Sequence, residues 1–198
     1  MIRISIADDH PMVRDGLEAM LVSAGGFEVV SLSADGASAL SDILAAKPDV
    51  VLSDVRMPVS DGFSLLSALA KAGSPAKVIF LAGMPLKEEE RRAEEMGAGG
   101  YLPKEVGQER LVEAIREAAA GGGFVREEFQ PAQSRLTQRE LDTLKYVAQG
   151  KQRTEIAEIM GIGPESVKTH MKGVLNKLGA ANSTVAVVKA YELGILRA

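Results

Sequence analysis

At 198 residues the chain is longer than one ordinary core of about 100 to 150 residues and shorter than two, so one medium and one small domain fit it best. With 4% aromatics and no Trp its cores must be aliphatic, and with no Cys it has no disulfide, thiol nucleophile or thiolate metal site. The net charge of −4 hides an asymmetry: residues 1–120 carry 12 Lys+Arg against 19 Asp+Glu, net −7, while residues 121–198 carry 11 against 8, net +3.

Short Val/Ile/Leu-rich runs alternate with longer amphipathic ones through the first 120 residues. The alternation predicts strands near 2–7, 28–32, 49–53, 77–82 and 99–102, with helices near 11–24, 35–46, 61–72, 86–96 and 107–120. Such βα units require right-handed crossovers and give an α/β fold, a doubly wound five-stranded parallel sheet with helices on both faces. Asp9 is read as the cap of the first helix with Pro11 in its first turn, and Pro103 is read as closing an edge strand. The run Glu88-Glu89-Glu90-Arg91-Arg92 is read as a solvated helix face. Gly121-Gly122-Gly123 ends the last of these helices, and residues 121–134 read as a linker. Beyond it only helices are predicted, near 138–149, 153–160, 164–177 and 183–194.

Ligands on a parallel α/β sheet bind beyond the C-terminal ends of the strands. Asp8 and Asp9 follow the first strand, Asp54 the third and Lys104 the fifth, so three carboxylates and one ammonium gather at one sheet edge. An aspartate can attack a phosphoryl group only if a cation neutralises their mutual repulsion. Mg²⁺, a hard ion that takes oxygen ligands, suits this set, and Lys104 suits the transferred phosphoryl oxygens. A metal-dependent phosphohydrolase uses similar parts but wants an acid two residues after its nucleophile, where this chain has Arg56. The chain is therefore read as a non-enzyme. Only two His exist, His10 and His170, which excludes a His-rich metal site.

Through Asp8-Asp9, Asp54-Val55-Arg56-Met57-Pro58 with Asp61-Gly62, Gly97-Ala98 leading to Gly100-Tyr101, and Lys104, residues 1–120 resemble the receiver domain of response regulators. The resemblance implies a flavodoxin-like fold and a phosphoacceptor, Asp54, charged by a sensor histidine kinase. It also implies Mg²⁺ held by Asp9, Asp54 and the Arg56 carbonyl, with Asp8 acting mainly through water. Lys104 would contact the phosphoryl group, and Tyr101 matches the aromatic switch position. One position departs from the pattern: Ala82 stands where receivers carry Thr or Ser, and no Ser or Thr occurs between Ser74 and Ser134. The hydroxyl that would grip the phosphoryl group is absent, so the coupling between Asp54 and Tyr101 is expected to be weak or differently wired.

In the basic tail, Thr137 and Glu140 have the spacing of a capping box, and Gly163-Pro164 opens a helix after a short one that stops at Gly161. Two helices joined by a tight turn form a helix-turn-helix, whose second member lies in the major groove of DNA. Val167, Met171, Val174 and Leu178 recur at helical spacing and face inward. Lys168, Thr169 and Lys172 lie on another face as candidates for base contact, with Lys151 and Lys177 as candidates for phosphate contact.

Leu136-Thr137-x-Arg139-Glu140, Gly150-Lys151, Glu155-Ile156-Ala157, Val167-Lys168-Thr169-His170 and Asn176-Lys177-Leu178-Gly179-Ala180 make residues 135–198 resemble the LuxR-type helix-turn-helix of NarL/FixJ regulators. The resemblance implies double-stranded promoter DNA as a partner and a homodimer formed through the last helix, with Val185, Val188, Ala190 and Tyr191. The whole chain then reads as a two-component, DNA-binding transcription regulator. The alternative within that class is an atypical receiver controlled largely without phosphorylation, because of Ala82. No run approaches the roughly 18 apolar residues of a membrane span, and the chain begins with a strand, so a cytoplasmic location with no membrane partner is expected.

Overall fold

A computed structural model describes residues 1–128 and 136–196. The chain divides into two compact units, Met1–Phe129 and Gln130–Ala198. In the first unit β1 (Ile2–Ala7), α1 (Pro11–Ala24), β2 (Phe27–Ser33), α2 (Gly36–Ala46), β3 (Val50–Asp54), α3 (Gly62–Lys71), β4 (Lys77–Ala82), α4 (Lys87–Glu95), β5 (Gly100–Pro103) and α5 (Gln108–Ala119) alternate, and β6 (Val125–Arg126) follows. The strands form one parallel sheet in the order β2-β1-β3-β4-β5-β6.

The alternation of side chains along each strand divides the core into two layers. Val51, Val78, Phe80, Ala82 and Tyr101 pack on one face of the sheet with Ile43 of α2, Phe63, Leu66 and Leu69 of α3 and Ala93 of α4. Ile4, Ile6, Val50, Leu52, Ile79, Leu81 and Leu102 pack on the other with Leu21 of α1 and Leu111 and Ile115 of α5. Buried on both faces, the central strands read as the nearly unbroken apolar runs expected of a parallel sheet. At about 25 cal/mol per Å² of apolar surface, each fully buried Leu or Ile contributes roughly 1.5–3 kcal/mol before chain entropy is set against it. This slab fixes the strand ends that carry the site.

Three expectations are corrected here. The sheet has six strands, because part of the presumed linker pairs with β5: Gly100 with Val125 and Tyr101 with Arg126. Val125 is buried among the α5-side core residues, and Arg126 reaches back to Glu94 of α4 at 2.6 Å and Glu90 at 3.7 Å. Second, β5 is consequently not an edge strand. Pro103 is tolerated for another reason: Lys104 N–H donates to Ala82 O on β4, so the nitrogen of Pro103 faces the opposite way, past the end of β6. Third, the residue capping α1 is His10, not Asp9, with Pro11 in its first turn as expected.

In the second unit α6 (Gln138–Ala148), α7 (Arg153–Met160), α8 (Pro164–Leu178) and α9 (Ser183–Glu192) pack around Leu144, Ile156, Val167, Met171, Val174, Leu178, Ala186 and Ala190. The capping box at the start of α6 forms in both directions: Thr137 N–H donates to Glu140 Oε2 at 2.7 Å, and Glu140 N–H donates to Thr137 Oγ1 at 3.3 Å. The Glu140 side chain is buried where α6 meets α8, and Lys177 Nζ donates to it at 2.7 Å. Gly173 of α8 makes room for it, since a Cβ there would lie 2.2 Å from Glu140 Oε1.

Candidate functional site

The acidic site is built by three strand ends. Asp8 (1% exposed) and Asp9 follow β1, Asp54 (6% exposed) closes β3, and Lys104 follows β5. Lys104 Nζ lies 2.6 Å from both Asp54 Oδ2 and Asp8 Oδ2. Close packing holds the acceptor loop in place: Gly62 N–H donates to Val55 O at 3.0 Å, and a Cβ on Gly62 would stand 2.4 Å from Asp54 O. Arg56 N–H donates to Asp54 Oδ1 at 3.2 Å.

Burial pushes the Asp54 carboxyl above its usual range, against the opposing pull of the Lys104 ammonium. Burial alone would lower the Lys104 ammonium, but hydrogen bonds and attraction to Asp54 and Asp8 outweigh it and raise its pKa. His10, not anticipated as a site residue, stands with its Nδ1 2.7 Å from Asp9 Oδ1 and 3.1 Å from Asp8 Oδ1, while its backbone N–H donates to Asp8 Oδ1 at 2.9 Å. Arg14 of α1 donates to Asp8 O at 2.6 Å. The signal for His10 was its position, between the acidic pair and the Pro that starts α1.

Asp8, Asp9, His10 and Asp54 each present a ligand atom within 4.8 Å of one another. Asp8 Oδ2 and Asp9 Oδ1 are both buried, the first 2.6 Å from Lys104 Nζ and the second 2.7 Å from His10 Nδ1. Buried carboxylates are costly unless their charge is compensated. Three carboxylates against one ammonium also leave two negative charges. Buried carboxylate oxygens gathered at one point with a double charge deficit fit a hard divalent cation such as Mg²⁺.

At the opposite side of the acceptor loop, Tyr101 is fully buried, its hydroxyl donating to Glu89 Oε2 at 2.8 Å and accepting from Leu86 N–H at 3.0 Å. Burial first, then the nearby Glu89 charge, push this phenol well above its usual range. Ala82 is buried at the end of β4. The α4 charge run is only partly a solvated face, which corrects the sequence reading. Arg91 pairs with Glu88 and Glu95 at the surface, whereas Glu90 is 4% exposed and bound by Lys87 at 2.8 Å. Glu89 turns toward Tyr101.

In the second unit α8 presents Lys168, Thr169 and Lys172, all exposed. Lys168 Nζ lies 3.6 Å from Glu165 Oε2, and the Thr169 hydroxyl donates to Glu165 O at 3.0 Å. Lys151, Arg153, Lys168 and Lys172 rim a groove of about 480 Å³ whose floor includes Ile156, Val167 and Met171. Arg153, at the start of α7, was not anticipated. Residues 4–116 match the model of the response regulator receiver domain, and residues 134–190 match that of the bacterial regulatory proteins of the luxR family. This chain is a response regulator.

Among curated relatives, the regulator is 31% identical over 207 residues to the Probable transcriptional regulatory protein NarL of Mycobacterium tuberculosis, covering 98% of this chain and 96% of that protein. It is 34% identical over 199 residues to the nitrate/nitrite response regulator protein NarP of Escherichia coli, covering 94% and 93%. Among solved structures, the response regulator ChrA of a heme-sensing two-component system superposes with a TM-score of 0.54 at 32% identity, covering 98% of each chain. These relatives are named as a transcriptional regulatory protein and a response regulator, and among the described residues no helix is long and apolar enough to cross a membrane.

Two residues of the regulator make contacts within their own unit that the sequence does not show. The Lys177 ammonium lies 2.7 Å from buried Glu140 Oε2 and so ties α8 to α6. Ala190 is fully buried within its own unit, so of the residues expected to pair two copies through α9, only Val185, Val188 and Tyr191 retain exposed surface, with Val188 51% and Tyr191 45% exposed.

Proposed function

We propose that Asp54 accepts a phosphoryl group from a sensor histidine kinase and that its modification governs how α8 reads promoter DNA. The observation that carries this is the Asp8–Lys104–Asp54 arrangement, a buried carboxylate bridged by one ammonium to a second acid. An Asp54 oxygen forms the new bond to phosphorus as the bond from phosphorus to the kinase imidazole nitrogen breaks, and the imidazole leaves on the kinase. Asp9, Asp54 and the Arg56 carbonyl would hold Mg²⁺, with Asp8 acting through water. The cation supplies charge neutralisation for the incoming phosphoryl oxygens. Lys104, already within 2.6 Å of Asp54, releases that carboxylate and pairs with a phosphoryl oxygen.

In the output unit, Lys168, Thr169 and Lys172 contact base edges, and Lys151 with Arg153 contacts phosphates. The receptive state is a homodimer joined through the exposed part of α9, working in the cytoplasm. Incubation of the full chain with Mg²⁺ and acetyl phosphate, read by intact mass, tests the acceptor: one phosphoryl group is expected, and none on Asp54→Asn. Modification that persists in Asp54→Asn refutes the assignment. Binding of promoter duplex should fall steeply with salt, because neutralised phosphates release counterions.

A second reading has one observation in its favour. The buried methyl of Ala82 offers no hydrogen bond at the end of β4. In that reading Asp54 remains modifiable, but DNA binding is set mainly by oligomerisation or a partner. Phosphorylation that leaves operator affinity unchanged would favour it.

A further inference from the structure

Glu89 was expected to face solvent, yet its carboxylate joins three elements of the receiver. Oε1 accepts from Arg56 Nη2 at 3.2 Å, on the loop that follows Asp54. Oε2 accepts from the Tyr101 hydroxyl on β5 at 2.8 Å. The residue itself belongs to the first turn of α4, where a carboxylate is favoured by the helix dipole. Its side chain is 19% exposed against 47% for Arg56, so the carboxylate is largely withdrawn from water while the guanidinium is not.

The same arginine touches the acceptor through its backbone, Arg56 N–H donating to Asp54 Oδ1 at 3.2 Å. A chain of contacts therefore runs from the Asp54 carboxylate to the Arg56 backbone, along that residue's side chain to Glu89 and on to the Tyr101 hydroxyl, and it does not pass through position 82. We infer that Glu89 is a positioning residue that links the Asp54 loop to Tyr101 and α4, taking the part that a hydroxyl at position 82 would otherwise play. The inference rests on the reading of Asp54 as the acceptor.

The physical logic is one carboxylate shared between two partners. Modification of Asp54 turns its carboxylate into a neutral acyl group, a weaker acceptor for Arg56 N–H, and draws the loop toward the phosphoryl group. The guanidinium, carried on that loop, then shifts against Glu89. Because the two oxygens of Glu89 serve different partners, a change at Arg56 alters the hold on Tyr101. Arg126 of β6 binds Glu94 and Glu90 on the same helix, so α4 also connects to the strand at the end of this unit.

The test uses the full chain labelled with fluorotyrosine. Its three tyrosines, Tyr101, Tyr146 and Tyr191, give separate ¹⁹F resonances, and Tyr101→Phe assigns the first. Acetyl phosphate and Mg²⁺ are added, intact mass gives the modified fraction, and the Tyr101 shift is compared at equal modification. Arg56→Gln and Glu89→Gln should each abolish most of that shift. Arg56→Lys should recover part of it, and the double variant should lose no more than either single one. The link is overturned if the parent is modified while Tyr101 stays silent, if either single variant keeps the full shift, or if the two losses add. A parent that takes no phosphoryl group overturns the acceptor reading itself, and this inference with it. Arg56 is exposed, so Arg56→Gln keeps the test decisive even if Glu89→Gln unfolds.

Discussion

Replacing Gly173 by Ala in the middle of α8 should destabilise the DNA-binding unit, although helix propensity alone favours Ala by about 1 kcal/mol. The reason is the carboxylate of Glu140, whose Oε1 would be 2.2 Å from the new Cβ. Glu140 must swing away, giving up Lys177 Nζ and Thr137 N–H, each now at 2.7 Å. A hydrogen bond to a charged group is worth roughly 1.5–3 kcal/mol, and water recovers part of each as the side chain moves out. A loss of about 2 to 3 kcal/mol set against the propensity gain leaves Gly173→Ala less stable by about 1 to 2 kcal/mol. Urea unfolding of the full chain, followed through the helical signal of the second unit, measures it. The sign should reverse in a Glu140→Ala background, where no carboxylate occupies the space and Ala at 173 should stabilise by about 1 kcal/mol. Stabilisation by Gly173→Ala in the parent chain would refute the packing argument.

Val59 carries a β-branched side chain at φ 66°, 88% exposed, on the loop between β3 and α3. Left-handed backbone costs such a residue roughly 1–2 kcal/mol, and the extra freedom of glycine in the unfolded chain returns roughly 0.4–1, so Val59→Gly should raise stability by about 0.5–1 kcal/mol in thermal unfolding. A lower midpoint would show that the conformation is not strained. Ala82→Thr, which restores a donor for the phosphoryl group, should increase the phosphorylation-dependent gain in DNA binding by about tenfold or more in a titration with operator duplex. An unchanged gain would show that Asp54 is read out elsewhere. Burial raises the Glu140 carboxyl, but Lys177 and the Thr137 hydrogen bonds outweigh it and hold its pKa below the ordinary 4.5. Its contribution to stability is therefore complete above pH 4.5 and lost as the pH falls through the lower folded value. Urea midpoints on either side of that pH should differ less in Glu140→Gln than in the parent.

The acidic site could be read from the chain because each of its members ends a short apolar run, and a parallel sheet delivers such ends to one edge. The capping box and the Gly163-Pro164 start of α8 were equally legible, since caps act within four residues. What escaped was set by tertiary contact. Glu89 and Glu90 sit in a run whose composition says surface, and only the placement of Tyr101 and Arg126 gives them inward partners. β6 has two residues, too few for any period to register, and exists because β5 offers unpaired backbone groups. Lys177 resembles any helical lysine until Glu140, 37 residues earlier, is folded against it. Ala190 reads as a small surface residue but is enclosed by its own unit.

The pairing of Val125 and Arg126 with β5 has a practical corollary for anyone dividing this protein. A fragment cut at residue 120, where the helical pattern stops, would expose the flank of Gly100 and Tyr101 as a row of unsatisfied amides and carbonyls. Such a flank recruits a strand from another molecule, so that fragment should self-associate through main-chain bonding at the flank that β6 covers in the longer chain. Ending the fragment after Glu128 keeps the sixth strand in place and should yield a monodisperse receiver.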